Sequence, residues 1–138
     1  MPAFTKFEQI VAWQLGVTLR NRIYDLTSGG EVARDGGFVE QIRDSSSSIP
    51  RNIAEGFAKY NPAEFGRYVN IAKGSLAETQ THLQHGRDVK YWTEEQFEEM
   101  WRISCRAMRA VARLHAYLRS APAKANARRA STEPRRNT

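Results

Sequence analysis

Apolar residues recur along most of this chain at steps of three and four, the spacing that gathers side chains on one face of an α-helix. From Phe65 the series Val69, Ala72, Leu76, Thr79 and Leu83 steps by 4, 3, 4, 3 and 4. A second series, Phe97, Trp101, Ser104, Met108, Val111, His115 and Leu118, keeps the same alternation. Seams at 3.5-residue spacing are what helices need to pack side by side in a bundle. An earlier helix opens at Thr5-Lys-Phe-Glu8, a capping-box pattern, and stops near Thr27 before Ser28-Gly29-Gly30. It carries two stripes rather than one. Val11, Leu15, Leu19 and Leu26 form the first, with Phe7 and Ile23 at its margins; Ile10, Trp13, Val17 and Tyr24 form the second. One stripe suffices to join a core, so the second must face another helix or a neighbouring subunit.

The stretch DSSSSIPRNIAEG, Asp44 to Gly56, looks like a loop by composition. Its periodicity says otherwise. Phe38, Ile42, Ser46, Ile49, Ile53, Phe57 and Tyr60 share one helical face straight through the serines. The expectation is one helix from about Phe38 to Tyr60, kinked where Pro50 removes a backbone donor and presses on the carbonyl of Ser46. Small serines there would let a neighbouring helix approach, and their hydroxyls could take up freed carbonyls. Asn61-Pro62-Ala63-Glu64 supplies an N-cap and a proline at the first position of the next helix, and Thr93 with Gln96 caps the last. Gly29 to Gly37, with four glycines, reads as a flexible link. No segment alternates with period two for long enough to be a strand. The pattern therefore predicts an all-α fold, an antiparallel four-helix bundle over residues 1–120 with its second helix kinked at Pro50.

Charge changes the picture at the C-terminal end. Of the net +6, residues 121–138 hold +4, with Lys124, Arg128, Arg129, Arg135 and Arg136 against Glu133. That segment has no aromatic and no aliphatic residue larger than alanine, so it cannot offset the entropy of ordering and is expected to be a mobile basic tail. It reads either as an attraction for polyanions or as a solubilising end. The single cysteine, Cys105, excludes an internal disulfide and is expected as a buried structural thiol. No apolar run reaches the roughly 18 residues of a membrane span, and the start lacks a signal-peptide layout, so the chain is expected in the cytoplasm, away from membranes.

Two motifs give the chain a likeness. Ser48-Ile-Pro-Arg-Asn52-Ile-Ala-Glu55-Gly56 is the stronger, and Ile71-Ala-Lys-Gly-Ser75-Leu-Ala-Glu78 the second; Gln41-Ile-Arg43 and Trp13 also fit. In these the sequence, over about residues 7 to 118, resembles the S23 or 23S rRNA intervening-sequence proteins. It is also similar to the accessory variability protein of diversity-generating retroelements. The resemblance implies bundles assembled as homopentameric rings and, for the latter protein, binding of nucleic acid and a reverse transcriptase, so the expected partner is nucleic acid or a nucleic-acid-bound protein. A ring would give the second stripe of the first helix, Ile10, Trp13, Val17 and Tyr24, a subunit interface. Asp44 to Ser47 replace the alanines usual in the family, and the arginine tail lies outside the shared pattern.

Three constellations carry candidate chemistry. Ser48, Asn52 and Glu55 on the second helix, with Ser75 and Glu78 on the third, read as a partly buried polar network that fixes register; the rival reading makes the two carboxylates a catalytic acid and base. Glu78, His82 and His85 share a helix face at a spacing that could hold a metal, but offer three ligands at most, so satisfied histidines are expected and no metal or other cofactor. His115, in the last seam, is expected as a core histidine with a hydrogen-bond partner. Arg102, Arg106, Arg109 and Arg113 form a single-sign row about 16 Å long. Such a row suits a line of phosphates; the rival reading is a solvated face with dipole compensation and salt bridges such as Glu98–Arg102. Gly29-Gly30 and Gly36-Gly37 lack the flanking strand and lysine-serine pair of a phosphate loop. The sequence thus points to a non-enzymatic oligomeric scaffold that binds nucleic acid, RNA among the candidates, through the arginine row together with Arg128 and Arg129. The alternative is a protein-interaction adaptor.

Overall fold

Side-chain caps explain where three of the four helices begin. The computed structural model describes residues 4–59, 61–120 and Ala123. The basic tail, with Arg128 and Arg129, and Tyr60 of the expected second-helix face lie outside the described residues. Helix α2, Gly36–Phe57, starts where the Asp35 carboxylate accepts the Phe38 N–H at 3.2 Å. Helix α3, Pro62–Asp88, starts where Asn61 Oδ1 accepts from Ala63 N (2.9 Å) and Glu64 N (3.4 Å). Helix α4, Glu94–Leu118, opens on the reciprocal box of Thr93 and Gln96. Helix α1, Val11–Thr27, begins later than the sequence suggests. The reaching side chain is Gln9 rather than Glu8. Gln9 Oε1 accepts from Thr5 N at 3.0 Å and Lys6 N at 3.4 Å, closing a separate 3-10 turn over Phe7–Gln9. The expected flexible link after α1 holds a second 3-10 turn, Val32–Arg34, because Val32 is buried.

The described residues contain four helices and no strand, so the fold is all-α. Each helix packs on two others, α1 and α3 both lying against α2 and α4. Buried residues of α3 are Phe65, Val69, Ala72, Leu76, Thr79, Leu83 and Gly86, the seam read from the sequence with one residue added. Two seams sit rotated from expectation. On α4 the innermost line is Phe97, Met100, Ser104, Ala107, Val111, Leu114 and Leu118, leaving Trp101, Met108 and His115 half-buried at its edge. On α1 the buried line is Ala12, Gly16, Leu19, Ile23 and Thr27, which runs between the two expected stripes. The reason is close approach. A Cβ on Gly16 would stand 3.0 Å from Ile49 Cγ2 and 3.4 Å from Pro50 Cδ, so the smallest residues mark where α1 meets α2. Leu15 and Leu26 on one flank, Trp13 and Val17 on the other, are half-buried, and Val11 is 56% exposed.

Helix α2 is continuous from Gly36 to Phe57 with Pro50 inside it. The serines are helix, not loop. Ser45 and Ser46 donate their hydroxyls to the carbonyls of Ile42 (3.3 Å) and Arg43 (3.2 Å), rather than to the Ser46 carbonyl that Pro50 deprives of a donor. Gly56 does for α3 what Gly16 does for α1. A Cβ there would lie 2.8 Å from both Phe65 Cδ1 and Tyr68 Cβ.

Candidate nucleic-acid interface

Packing α4 by its Phe97–Leu118 line turns the opposite face to solvent, and that face carries Arg102, Arg106, Arg109 and Arg113, all exposed. Ion pairs among the described residues join Arg22 to Glu99 (2.6 Å), Arg67 to Glu64 (3.8 Å) and Arg87 to Asp88 (3.7 Å), and His82 Nε2 stands 3.6 Å from Glu78 Oε1. None involves the four arginines. The expected Glu98–Arg102 pair does not form. Four like charges at i, i+3 and i+4 spacing destabilise a helix mildly when nothing neutralises them. On one side of the row Arg102 and Arg109 border a surface depression of about 430 Å³ with Glu98, Trp101 and Cys105. On the other, Arg113 borders an apolar groove of about 270 Å³ lined by Phe4, Ile10, Val11, Ala12, Ala110 and Leu114. Cys105 is half-buried rather than the fully buried thiol expected, because α4 turns Ser104 and Ala107 inward.

The polar network between α2 and α3 exists in part. Ser48 Oγ and Ser75 Oγ share a hydrogen bond at 2.7 Å, and Asn52 Nδ2 donates to both Ser48 O and Ser48 Oγ at 2.8 Å. Two residues that the sequence reading missed extend it: Thr79 Oγ1 donates to Ser45 Oγ (2.9 Å), and both are buried. Their signal was available, since Ser45 lies three residues before Ser48 and Thr79 four after Ser75. The carboxylates do not join. Glu55 and Glu78 are exposed, their longer side chains reaching water instead of meeting the cost of burial. They are not brought together as an acid–base pair over the network.

The histidines also depart from expectation. His82 and His85 lie edge-on to Phe38, with ring centroids 6.2 and 5.5 Å away. His82 Nε2 is buried without a hydrogen-bond partner, Glu78 Oε1 standing 3.6 Å off. Among the described residues no group of three or more His, Cys, Asp or Glu gathers as a metal set. His115 is half-buried at the α4 edge, where it meets the surface instead of the core.

Of the expected subunit-interface residues, Ile10 is 1% exposed and belongs to the chain's own core. Its place just before α1 directs it inward with Ala12. Trp13 packs edge-on against Phe7, centroids 5.3 Å apart, and Val17 is half-buried. Tyr24 remains 40% exposed, with the Arg43 guanidinium 4.3 Å above its ring. Arg43 also donates to Thr27 Oγ1 (2.9 Å) and, at 3.4 Å, to Tyr24 O and Ser28 Oγ, so a cation closes the C-terminal end of α1. No structural role had been read for Arg43 beyond its place in a motif.

With this geometry in place, the motifs on α2 and α3 can be set against known families. A family model described as 23S rRNA-intervening sequence protein matches residues 8–113. The chain belongs to this family. A search of the curated proteins finds no match. The matched span runs from the 3-10 turn before α1 to Arg113, so it takes in the polar contacts of α2 and α3 and the whole arginine row. In this family member Ser48 and Gly56 of the first motif, and Ser75 of the second, lie where α2 and α3 touch, and Asn52 supports Ser48 from within α2. No described helix is long and apolar enough to cross a membrane.

Proposed function

We propose that the protein is a non-enzymatic helical scaffold that binds nucleic acid, RNA in particular, through backbone phosphates. The observation that carries this reading is the row Arg102, Arg106, Arg109 and Arg113, exposed and without ion pairs among the described residues. Guanidinium groups at about 4.5–6 Å axial spacing can each meet a phosphate, and the gain comes from released counterions. The family description, which names an intervening sequence of 23S rRNA, supports RNA as the class. Self-association would repeat the row and raise avidity without new contacts. Trp13, Val17 and Tyr24 on the α2 side of α1 are the face offered to another copy; Ile10 is not. The cytosol, where RNA is met, is the compartment this function requires.

Fluorescence anisotropy with labelled RNA over a salt series tests the reading, with oligomer mass followed by light scattering. Four phosphate contacts on a single strand give a slope of about −3 in log K against log salt. Reversing Arg106 and Arg109 to glutamate should flatten that slope by at least about 1.4 and weaken binding more than tenfold at low salt. Unchanged binding in that variant would remove the row from the function. A chain ending at Ser120 separates the row from Arg128 and Arg129: binding lost only on truncation would move the site to the tail.

A second reading, a protein-interaction adaptor, is favoured by exposed apolar side chains on α1, Val11 and Tyr24. Salt-insensitive partner binding, blocked by Val11→Lys and untouched by the arginine reversals, would be its signature.

A further inference from the structure

The depression beside the arginine row has a composition of its own. Trp101 and Cys105 line it beside Arg102 and Arg109, with Glu98 one turn before Arg102, around a volume of about 430 Å³. The rotation of α4 that buries Met100 and Ser104 is what leaves Trp101 half-buried at the surface edge. Its ring is held from beneath by Phe97, nearly parallel at 23° with centroids 5.6 Å apart, and Phe97 is in turn covered by the Arg87 guanidinium at 4.4 Å. The indole is thus fixed as the top of a stack beside two arginines that form no ion pair among the described residues. Glu98 matters as much as the arginines. Its carboxylate would repel a phosphate entering the depression, which leaves Arg102 and Arg109 as the places where phosphates would sit.

We infer that this depression is a base-stacking site: it takes one unpaired nucleobase of a single-stranded polynucleotide onto Trp101 while Arg102 and Arg109 hold the neighbouring phosphates along α4. The inference rests on the nucleic-acid reading above and narrows its ligand to single strands. Aromatic platforms flanked by cations suit single strands because every base offers a π-face, whereas bases inside a duplex are already stacked. A base is uncharged, so the Glu98 carboxylate tolerates it and can accept from an exocyclic amino group. The ligand class is therefore single-stranded RNA or DNA, read by stacking and only weakly by sequence.

The test uses the full-length protein and three labelled strands of about a dozen nucleotides: single-stranded oligocytidylate, an abasic strand of equal length, and a duplex. Base–aromatic stacking predicts that oligocytidylate binds about tenfold tighter than the abasic strand and quenches tryptophan emission. Trp101→Leu should abolish that advantage and most of the quenching while leaving abasic binding, which reports the arginines alone, unchanged. Trp101→Phe should keep most of the advantage, separating a stacking role from a packing one. Equal binding of the abasic and base-bearing wild-type complexes overturns the inference even if Trp101→Leu fails to fold, and so does a preference for the duplex. If the abasic strand binds with a steep salt dependence while the base adds nothing, the arginine row survives and the stacking site does not. If no strand binds, both fall.

Discussion

Asp35 does two jobs with one carboxylate. It caps α2 through the Phe38 N–H and accepts the Tyr91 hydroxyl at 2.5 Å, tying the start of α2 to the link between α3 and α4. The Tyr91 hydrogen bond, followed by the Phe38 N–H, holds the Asp35 carboxyl below its ordinary range, and the same bond with Asp35 raises the Tyr91 hydroxyl. The signs are opposite. For Asp35, with a lowered folded-state value, the contribution to stability is complete above the ordinary carboxylate range near 4 and is lost as pH falls through the depressed value. For Tyr91, with a raised value, the contribution is complete below about 10 and is lost as pH rises through the elevated one. Melting curves across both limits should show each loss in the parent protein. Asp35→Asn should remove the acid-side loss assigned to this pair and Tyr91→Phe the alkaline one. A Tyr91→Phe profile with its alkaline limb intact would assign that limb elsewhere.

Among elements, the contact of α2 with α3 is set by small side chains. Ser45, Ser48 and Gly56 on α2 allow backbone-level approach, and Ser75 and Thr79 answer with hydroxyls. Gly56→Ala forces a methyl to within 2.8 Å of Tyr68 Cβ, an atom that cannot swing away without moving α3. The expected cost is about 1–3 kcal/mol, read as a lower urea midpoint at unchanged slope. The same substitution at Gly74, where an added Cβ meets nothing within 4 Å, should be neutral or stabilising. Equal effects at both positions would contradict the close approach. The α3 seam and the caps at Asn61 and Thr93 were legible in sequence because they depend on residues three or four apart. The cap at Asp35 and the end-closing role of Arg43 were not: one sits beside glycines that read as link, and the other acts on a helix 15 to 19 residues away.

At the scale of the molecule, the arginine row sets stability against binding. Arg106 has Arg102 four residues before it and Arg109 three after, with no acid paired to any of them among the described residues. Arg106→Gln, which nearly keeps helix propensity, should raise the melting temperature by about 2 °C at low salt. The gain should fade as salt screens the row, while RNA affinity falls. A loss of stability instead would mean that Arg106 is held by a contact inside the fold.

Local spacing alone determined much of this protein: helical periodicity through Asp44–Gly56, the line Phe65 to Leu83, two helix starts, and the placing of four arginines on one face of α4. Each is a relation between residues a turn or two apart, and helical geometry converts such spacings directly into faces. Tertiary structure decided the rest. It chose the line Ala12, Gly16, Leu19, Ile23 and Thr27 between the two stripes of α1, because helices meet where side chains are smallest rather than where they are most apolar. It drew Ile10 into the core and sent Glu55 and Glu78 to water, because a carboxylate long enough to reach solvent avoids the cost of desolvation. Finally, it rotated α4 so that Trp101, which spacing along the helix already sets beside Arg102 and Arg109, came to the half-buried edge instead of the core, because α1 and α3 seat that helix along its Phe97–Leu118 line.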